Sequence, residues 1–214
     1  MVALDVGHTI EKPGATSARG ESEFSFNRNL ARKIQQSLTA TGFVTELINE
    51  NGLIKDLTTR TDEAAKADFF LSIHHDSMQP QYLSTWHVDG KPQWFGDRFS
   101  GFSLFVSRKN GHLTASLKCA TAIGRQLIQQ GFKPSRHHAE PIPGENRPFA
   151  DKDNGVHFYD DLLVLKTARQ PAVLLEAGII VNRADELTLL DPMTQDRMAK
   201  AITRATSFCL GNSS

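Results

Sequence analysis

Two imidazoles and a carboxylate, His74-His75-Asp76, stand directly after the apolar run Phe69-Phe70-Leu71-Ser72-Ile73. A buried strand usually exits through Gly, Asn or Ser, whereas this one exits through side chains of the kind that bind zinc. A second run, Val2-Ala3-Leu4-Asp5-Val6, leads into Gly7-His8, and a third, Ala172-Val173-Leu174-Leu175, leads into Glu176. Glu23 falls in the first turn of the helical stretch that follows the first run. Two neutral imidazoles and one carboxylate make an open shell for one Zn²⁺, with the fourth position left to water. Zinc lowers the pKa of such a water from about 15.7 to roughly 7. A further carboxylate, not bound to metal, can then carry its proton to a leaving amine. The residue types therefore suit metal-assisted hydrolysis of an amide.

Other readings of the same residues stay open at this level. Glu21 competes with Glu23, since either would also favour the positive end of a helix dipole. His75 points to the face opposite His74 if the strand continues, which makes it a support for the site rather than a ligand. Glu176 could be a salt-bridged core carboxylate, although burying it at the end of an apolar run is costly without a task. His137-His138 reads as a solvated pair rather than a second metal site, and His112 has no identifiable partner. Asn146, Arg147 and His157 are weak candidates for lining a cleft. Trp86 and Trp94 suit either stacking on sugar rings or packing within a hairpin. Cys119 and Cys209 read as two small buried hydrophobes, with a disulfide left open.

The elements that must position these groups alternate strand and helix. A polar loop spans residues 9–20, and Phe26, Leu30, Ile34 and Leu38 mark a helix over about 22–41. A strand over 43–48, a helix over 53–66 and the strand ending in His74 follow. Residues 77–112 carry both tryptophans and the turn dipeptide Asp89-Gly90, which predicts a hairpin excursion before a strand at 102–106. A helix over 114–130 precedes a long Pro-rich loop over 133–156. A short helix at 162–168, the strand at 172–175 and a closing helix at 194–208 complete the chain. Strands separated by helices imply right-handed crossovers. The expected fold is a single α/β domain over 1–214, with a mainly parallel twisted sheet of about six strands and helices on both faces. Ligands bind such sheets beyond the carboxyl ends of the strands, where His8, His74 and Glu176 all fall.

Bulk properties narrow the classes. The chain has 214 residues, enough for a substantial core in one domain. Lys+Arg of 24 against Asp+Glu of 24 gives no formal net charge, which argues against broad electrostatic binding of nucleic acid or an anionic membrane. No apolar run approaches the roughly 18 residues of a membrane span. With a strand starting at residue 2, we expect that a targeting segment has been removed from the start of this chain.

Taken in order, the segments resemble the zinc-dependent N-acetylmuramoyl-L-alanine amidases of the amidase-3 type. The family's opening strand and Asp-Pro-Gly-His are similar to Leu4-Asp5-Val6-Gly7-His8, followed here by Pro13-Gly14-Ala15. Its metal-binding glutamate precedes an apolar helix with a small residue eight positions on, a spacing that Glu23 and Ala31 meet and Glu21 does not. Its Ser-Ile-His-Ala-Asp segment resembles Ser72-Ile73-His74-His75-Asp76, and its last strand resembles Pro171-Ala172-Val173-Leu174-Leu175-Glu176-Ala177-Gly178, with Asn182 beyond. The resemblance implies His8, Glu23 and His74 as zinc ligands and Glu176 as catalytic base. It further implies peptidoglycan as substrate, cleaved between the lactyl group of N-acetylmuramic acid and L-alanine, by a periplasmic or extracellular enzyme, taken as a monomer, whose protein activator, if any, is unidentified. Val6, Thr9 and His75 depart from the family pattern, and residues 77–101 do not follow it. No long amphipathic helix stands in 77–112, so we expect no autoinhibitory insertion and an open site. Two alternatives remain: a zinc carboxypeptidase, using Arg136, Arg147 or Arg183 to grip a terminal carboxylate, and a wall-binding module without turnover.

Overall fold

The computed structural model describes residues 1–211. In chain order the elements are β1 (Val2–Val6), α1 (Glu23–Ala40), β2 (Thr45–Ile48), α2 (Leu57–Glu63), β3 (Phe69–Asp76), β4 (Ser84–Val88), β5 (Lys91–Phe95) and β6 (Ser103–Val106). There follow α3 (Leu113–Gln129), β7 (Phe149–Asp151), β8 (Val156–Phe158), α4 (Leu163–Thr167), β9 (Ala172–Ile179), α5 (Arg183–Leu190) and α6 (Pro192–Leu210). The main sheet has the order β2-β1-β3-β9-β6-β8-β7. β2, β1, β3 and β9 run parallel, β6 runs antiparallel to β9, and β7 closes the far edge antiparallel to β8.

The core lies on both faces of this sheet. Val2, Leu4 and Val6 of β1, with Phe69, Leu71 and Ile73 of β3, pack toward α1, α3 and α6 through Leu30, Ile34, Ile123 and Ile202. The alternate residues Ala3, Phe70, Ala172 and Leu174 face the smaller layer built from Ala64, Val164 and Leu165. Strands buried on both faces read as unbroken apolar runs, which is why these three stood out in the sequence. The same alternation carries Asp5, Ser72, His74 and Asp76 to the second face.

The sheet has seven strands rather than about six. The extra strands lie in and just after the stretch expected to be a long loop at 133–156, which instead contains a 3-10 turn (His137–Ala139) and β7, with β8 starting at its last residue. Strands of three residues leave too little alternation to be seen in a sequence. β9 runs through Glu176 to Ile179, so that carboxylate lies within a strand rather than at its exit. α5 was not anticipated. It starts from Asn182, whose side chain accepts from the backbone N–H groups of Ala184 and Asp185 at 2.9 and 3.0 Å. The expected 53–66 helix is shorter, beginning after Asp56, which caps it by accepting from Thr58 N–H at 2.8 Å.

Residues 77–112 contain the hairpin β4–β5, turned through Asp89 and Gly90, both in left-handed backbone. It docks on the loop after β1, where Trp86 Nε1 donates to Ala18 O at 2.7 Å and the Trp86 ring lies 5.2 Å from the guanidinium groups of both Arg19 and Arg183. Trp86 is thus a packing residue, while Trp94 stays exposed. Cys119 of α3 and Cys209 of α6 are joined in a disulfide, so the reading as two separate buried hydrophobes is superseded. Facing positions on two packed helices, 90 residues apart in the chain, bring the sulfurs together.

Candidate metal centre and catalytic site

Beyond the carboxyl ends of β1 and β3, three side chains converge. His8 Nε2 and His74 Nδ1 stand 3.0 and 3.1 Å from the same oxygen, Glu23 Oε1. All three offer their ligand atoms within 4.8 Å of one another. Glu23 is buried, whereas His8 keeps 32% of its side chain exposed, leaving one side open to a substrate. Burial alone would raise the Glu23 pKa, but hydrogen bonds with His74 and His8 and their charges outweigh it and hold this carboxyl well below the usual range. It is a permanent anion facing two imidazoles, a donor set and spacing that fit a tetrahedral zinc ion.

The local chain is shaped to allow this approach. Gly7 and Gly14 are required by crowding: a Cβ on Gly7 would stand 2.3 Å from His74 Nε2, and one on Gly14 would stand 2.2 Å from Glu23 Oε2. His8 itself adopts left-handed backbone, with φ of 68°. Its carbonyl is held by Asn49 Nδ2 at 2.7 Å and Arg60 Nη2 at 2.6 Å. Arg60 is 2% exposed, also donates to Val6 O at 2.9 Å, and pairs with Asp5, which accepts from Ser72 Oγ at 2.7 Å. Asn27, one turn after Glu23, donates to Glu23 Oε1 at 3.1 Å and to Gly7 O at 3.2 Å.

Asn27, Asn49 and Arg60 were missed from sequence. Each acts on backbone or carboxylate through pairings 4 to 52 positions apart, and no local motif marks them. The short spacing of Glu23 and Asn27, one helical turn, was the one usable signal.

His75 faces away from the three ligand candidates. Its ring Nδ1 meets Asn27 Oδ1 at 2.8 Å, and its backbone N–H donates to Glu23 Oε1 at 3.3 Å. Burial pushes its pKa down to about 3, so the ring stays neutral. It steadies Asn27, which steadies Glu23.

Glu176 pairs in register with His74, and the next pairing, Asp76 with Ile179, is out of step, an irregularity that re-aims side chains at this end of β9. Glu176 Oε2 is buried and has no hydrogen-bond partner among the described residues. Burial, then the charges of Asp76 and Glu23, raise its pKa well above the carboxylate norm. A carboxyl that binds protons this readily beside a metal-type site is suited to proton transfer.

Asn146 and Arg147 make no hydrogen bond or ion pair with His8, Glu23, His74 or Glu176 among the described residues. Asn146 is exposed in left-handed backbone, and the Arg147 guanidinium lies 3.7 Å over the Tyr159 ring. Arg183 is engaged by Asp97. His157 is buried, with Nδ1 3.4 Å from Arg147 O, and burial pushes its pKa down to about 4. The reading of His137-His138 as a solvated pair is wrong. His137 is 2% exposed, and both rings pack with their Nε2 atoms on Asp76 Oδ2, at 3.1 and 2.7 Å. Burial works against charge on His138, yet Asp76 and Glu145 raise its pKa to about 9. The partner lies 62 positions earlier in the chain, which no local pattern reveals.

A sheet whose carboxyl ends gather two imidazoles and a carboxylate, with a proton-binding glutamate alongside, offers the groups that metal-assisted hydrolysis needs. The family model of N-acetylmuramoyl-L-alanine amidases of the amidase-3 type matches residues 2–207, and the chain belongs to that family. It is 24% identical over 209 residues (96% of this chain, 94% of the other) to a protein of Buchnera aphidicola subsp. Baizongia pistaciae provisionally named N-acetylmuramoyl-L-alanine amidase. It is 25% identical over 206 residues to the N-acetylmuramoyl-L-alanine amidase LytC of Bacillus subtilis, covering 94% of this chain but 34% of LytC. Among solved structures, the N-acetylmuramyl-L-alanine amidase Ami1 of Mycobacterium smegmatis shares the fold, with a TM-score of 0.76 and 22% identity over 99% of this chain and 97% of that one.

Proposed function

We propose that the chain hydrolyses the amide between the lactyl group of N-acetylmuramic acid and L-alanine in peptidoglycan, with His8, Glu23 and His74 holding one zinc ion and Glu176 moving the proton. The observation that carries this reading is the convergence of His8 Nε2 and His74 Nδ1 on one oxygen of Glu23, in a chain matched over nearly its whole length by this amidase family. Zinc, when bound, supplies a Lewis acid for the scissile carbonyl and makes water acidic near neutrality. Glu176 accepts the proton of the attacking water, for which Oε2 is free, and returns it to the alanine nitrogen as the C–N bond breaks. Asn27 and His75 hold Glu23 in place, and Arg60 and Asn49 hold the backbone of His8.

A hollow of about 250 Å³ beside His8 is lined by Thr9, Glu11, Lys12, Lys55, Leu57 and Arg60. Lys55 is paired there with Glu11 at 2.7 Å, which leaves Lys12 as the cation that would meet a carboxylate of a stem peptide. The disulfide supports residence outside the cytoplasm, in a periplasm or the extracellular space, because such bonds persist where thiols are not kept reduced. No described helix is long and apolar enough to cross a membrane. We take the enzyme to act as a monomer.

The test is Glu176→Gln, assayed on purified peptidoglycan with zinc content measured in parallel. We expect zinc to remain bound while turnover falls by about 10²–10⁴-fold. Full activity in that variant would remove Glu176 from the mechanism. Of the three arginines considered for gripping a terminal carboxylate in a carboxypeptidase, Arg147 lies over Tyr159 and Arg183 is paired with Asp97, which leaves Arg136 as the cation for that second reading.

A further inference from the structure

We propose that Asp76, His137 and His138 form a second site for a divalent cation of the zinc class, distinct from the one built on His8, Glu23 and His74. Both imidazoles aim Nε2 at one carboxylate oxygen, Asp76 Oδ2, at 3.1 and 2.7 Å. Their ligand atoms lie within 4.8 Å of one another, as in the first set. In a tetrahedral shell with bonds of about 2.0–2.1 Å, neighbouring ligand atoms stand roughly 3.3 Å apart. The His137 pair already meets this spacing, and the His138 pair reaches it with a shift of about half an ångström.

The opposite ring nitrogens are anchored as metal-bound histidines usually are. His137 Nδ1 lies 2.9 Å from Ser135 Oγ, and His138 Nδ1 lies 2.8 Å from Glu145 Oε2. Glu145 is fixed in turn, its Oε1 accepting from Gln79 Nε2 at 2.7 Å. Such partners set the tautomer and orientation of a ligating ring, leaving Nε2 for the ion. An aromatic wall completes the shell: Phe99 stacks on His137 with ring centroids 5.5 Å apart, and Phe105 meets His138 edge-on at 4.8 Å. Two carboxylates, Asp76 and Glu145, balance the charge of one divalent ion there. Bound at this site, the cation clips the segment after α3 to the strand that carries His74.

The experiment uses the full chain, stripped with chelator and reloaded with Zn²⁺, with bound metal counted after gel filtration and with Co²⁺ absorption as a second readout. In the variant His8→Ala/His74→Ala, we expect one equivalent of zinc to remain, and Co²⁺ to give the visible bands of a nitrogen–oxygen site. Adding His138→Ala to that background should abolish both. No bound equivalent in His8→Ala/His74→Ala overturns the proposal, as does an equivalent that survives His138→Ala. Because His8→Ala/His74→Ala leaves the second cluster intact, its result stands even if His138→Ala impairs folding. Cleavage assays on the wild type judge the amidase reading separately.

Discussion

Gly14 shows how tightly single residues constrain this centre. Its φ of +80° is costly for any side chain, and a Cβ there would strike Glu23 and His8 together. Gly14→Ala is therefore expected to weaken zinc binding far more than it perturbs the fold, as metal titration alongside circular dichroism would show; unchanged affinity would contradict the crowding. Arg60 presents the opposite case, a buried charge held by Asp5 and three carbonyls, those of Val6, His8 and Ile54. Removing one member of a buried pair strands the other, at a cost of about 3–5 kcal/mol. Arg60→Met should lose about that much in urea unfolding and slacken the turn that presents His8. His157 gives the pH dependence a sign. Its folded pKa of about 4 lies below the 6.5 of a free imidazole, so the unfolded chain binds a proton that the folded chain refuses. Stability from this residue falls as pH drops from about 6.5 to 4 and is level below that. The whole effect is about 3 kcal/mol at most. His157→Phe, packed by Phe105 and Phe149, should flatten that part of the profile relative to wild type, measured by denaturation at pH 4, 5, 6 and 7.

At the scale of elements, the helices α3 and α6 are covalently joined across 90 residues by Cys119 and Cys209. Closing a loop of that length restricts the unfolded chain by roughly 4.6 kcal/mol. Cys209→Ala should lower the unfolding midpoint, and a reductant should do the same to wild type and nothing to the variant. The long elements were legible because their patterns are strong: the four-residue spacing along α1 and the unbroken apolar runs of β1, β3 and β9. What was not legible was short or distant. β7 and β8 have three residues each and α5 eight, about two helical turns, too short for a periodic pattern to stand out. The candidate ligands His8 and His74 stood out because each follows a readable apolar run, whereas Glu23 was separated from Glu21 only by the resemblance to the amidase-3 family. Asp76 with His137 and His138, and Asp5 with Arg60, are pairings made only by the sheet, and they surface only in three dimensions.

Across the whole molecule, one mainly parallel sheet serves two ends. Its interior strands are largely apolar on both faces, and of the polar residues that break that pattern, Asp5, Ser72, His74, Asp76 and Glu176 lie toward the carboxyl ends of β1, β3 and β9, where such folds bind ligands. The loop after β1 is tied to α5 by Arg19 and Glu186, and the hairpin β4–β5 braces the same loop through Trp86. The remainder of the fold thus holds His8 and Glu23 against His74. The central claim is that this arrangement cleaves the bond between the lactyl group and L-alanine. It is tested most directly by mass spectrometry of the fragments that the zinc-loaded chain releases from purified peptidoglycan. Intact stem peptides with a free N-terminal L-alanine are expected, released with zinc and lost on chelation. Release of single amino acids instead, or no zinc-dependent release at all, would contradict the claim.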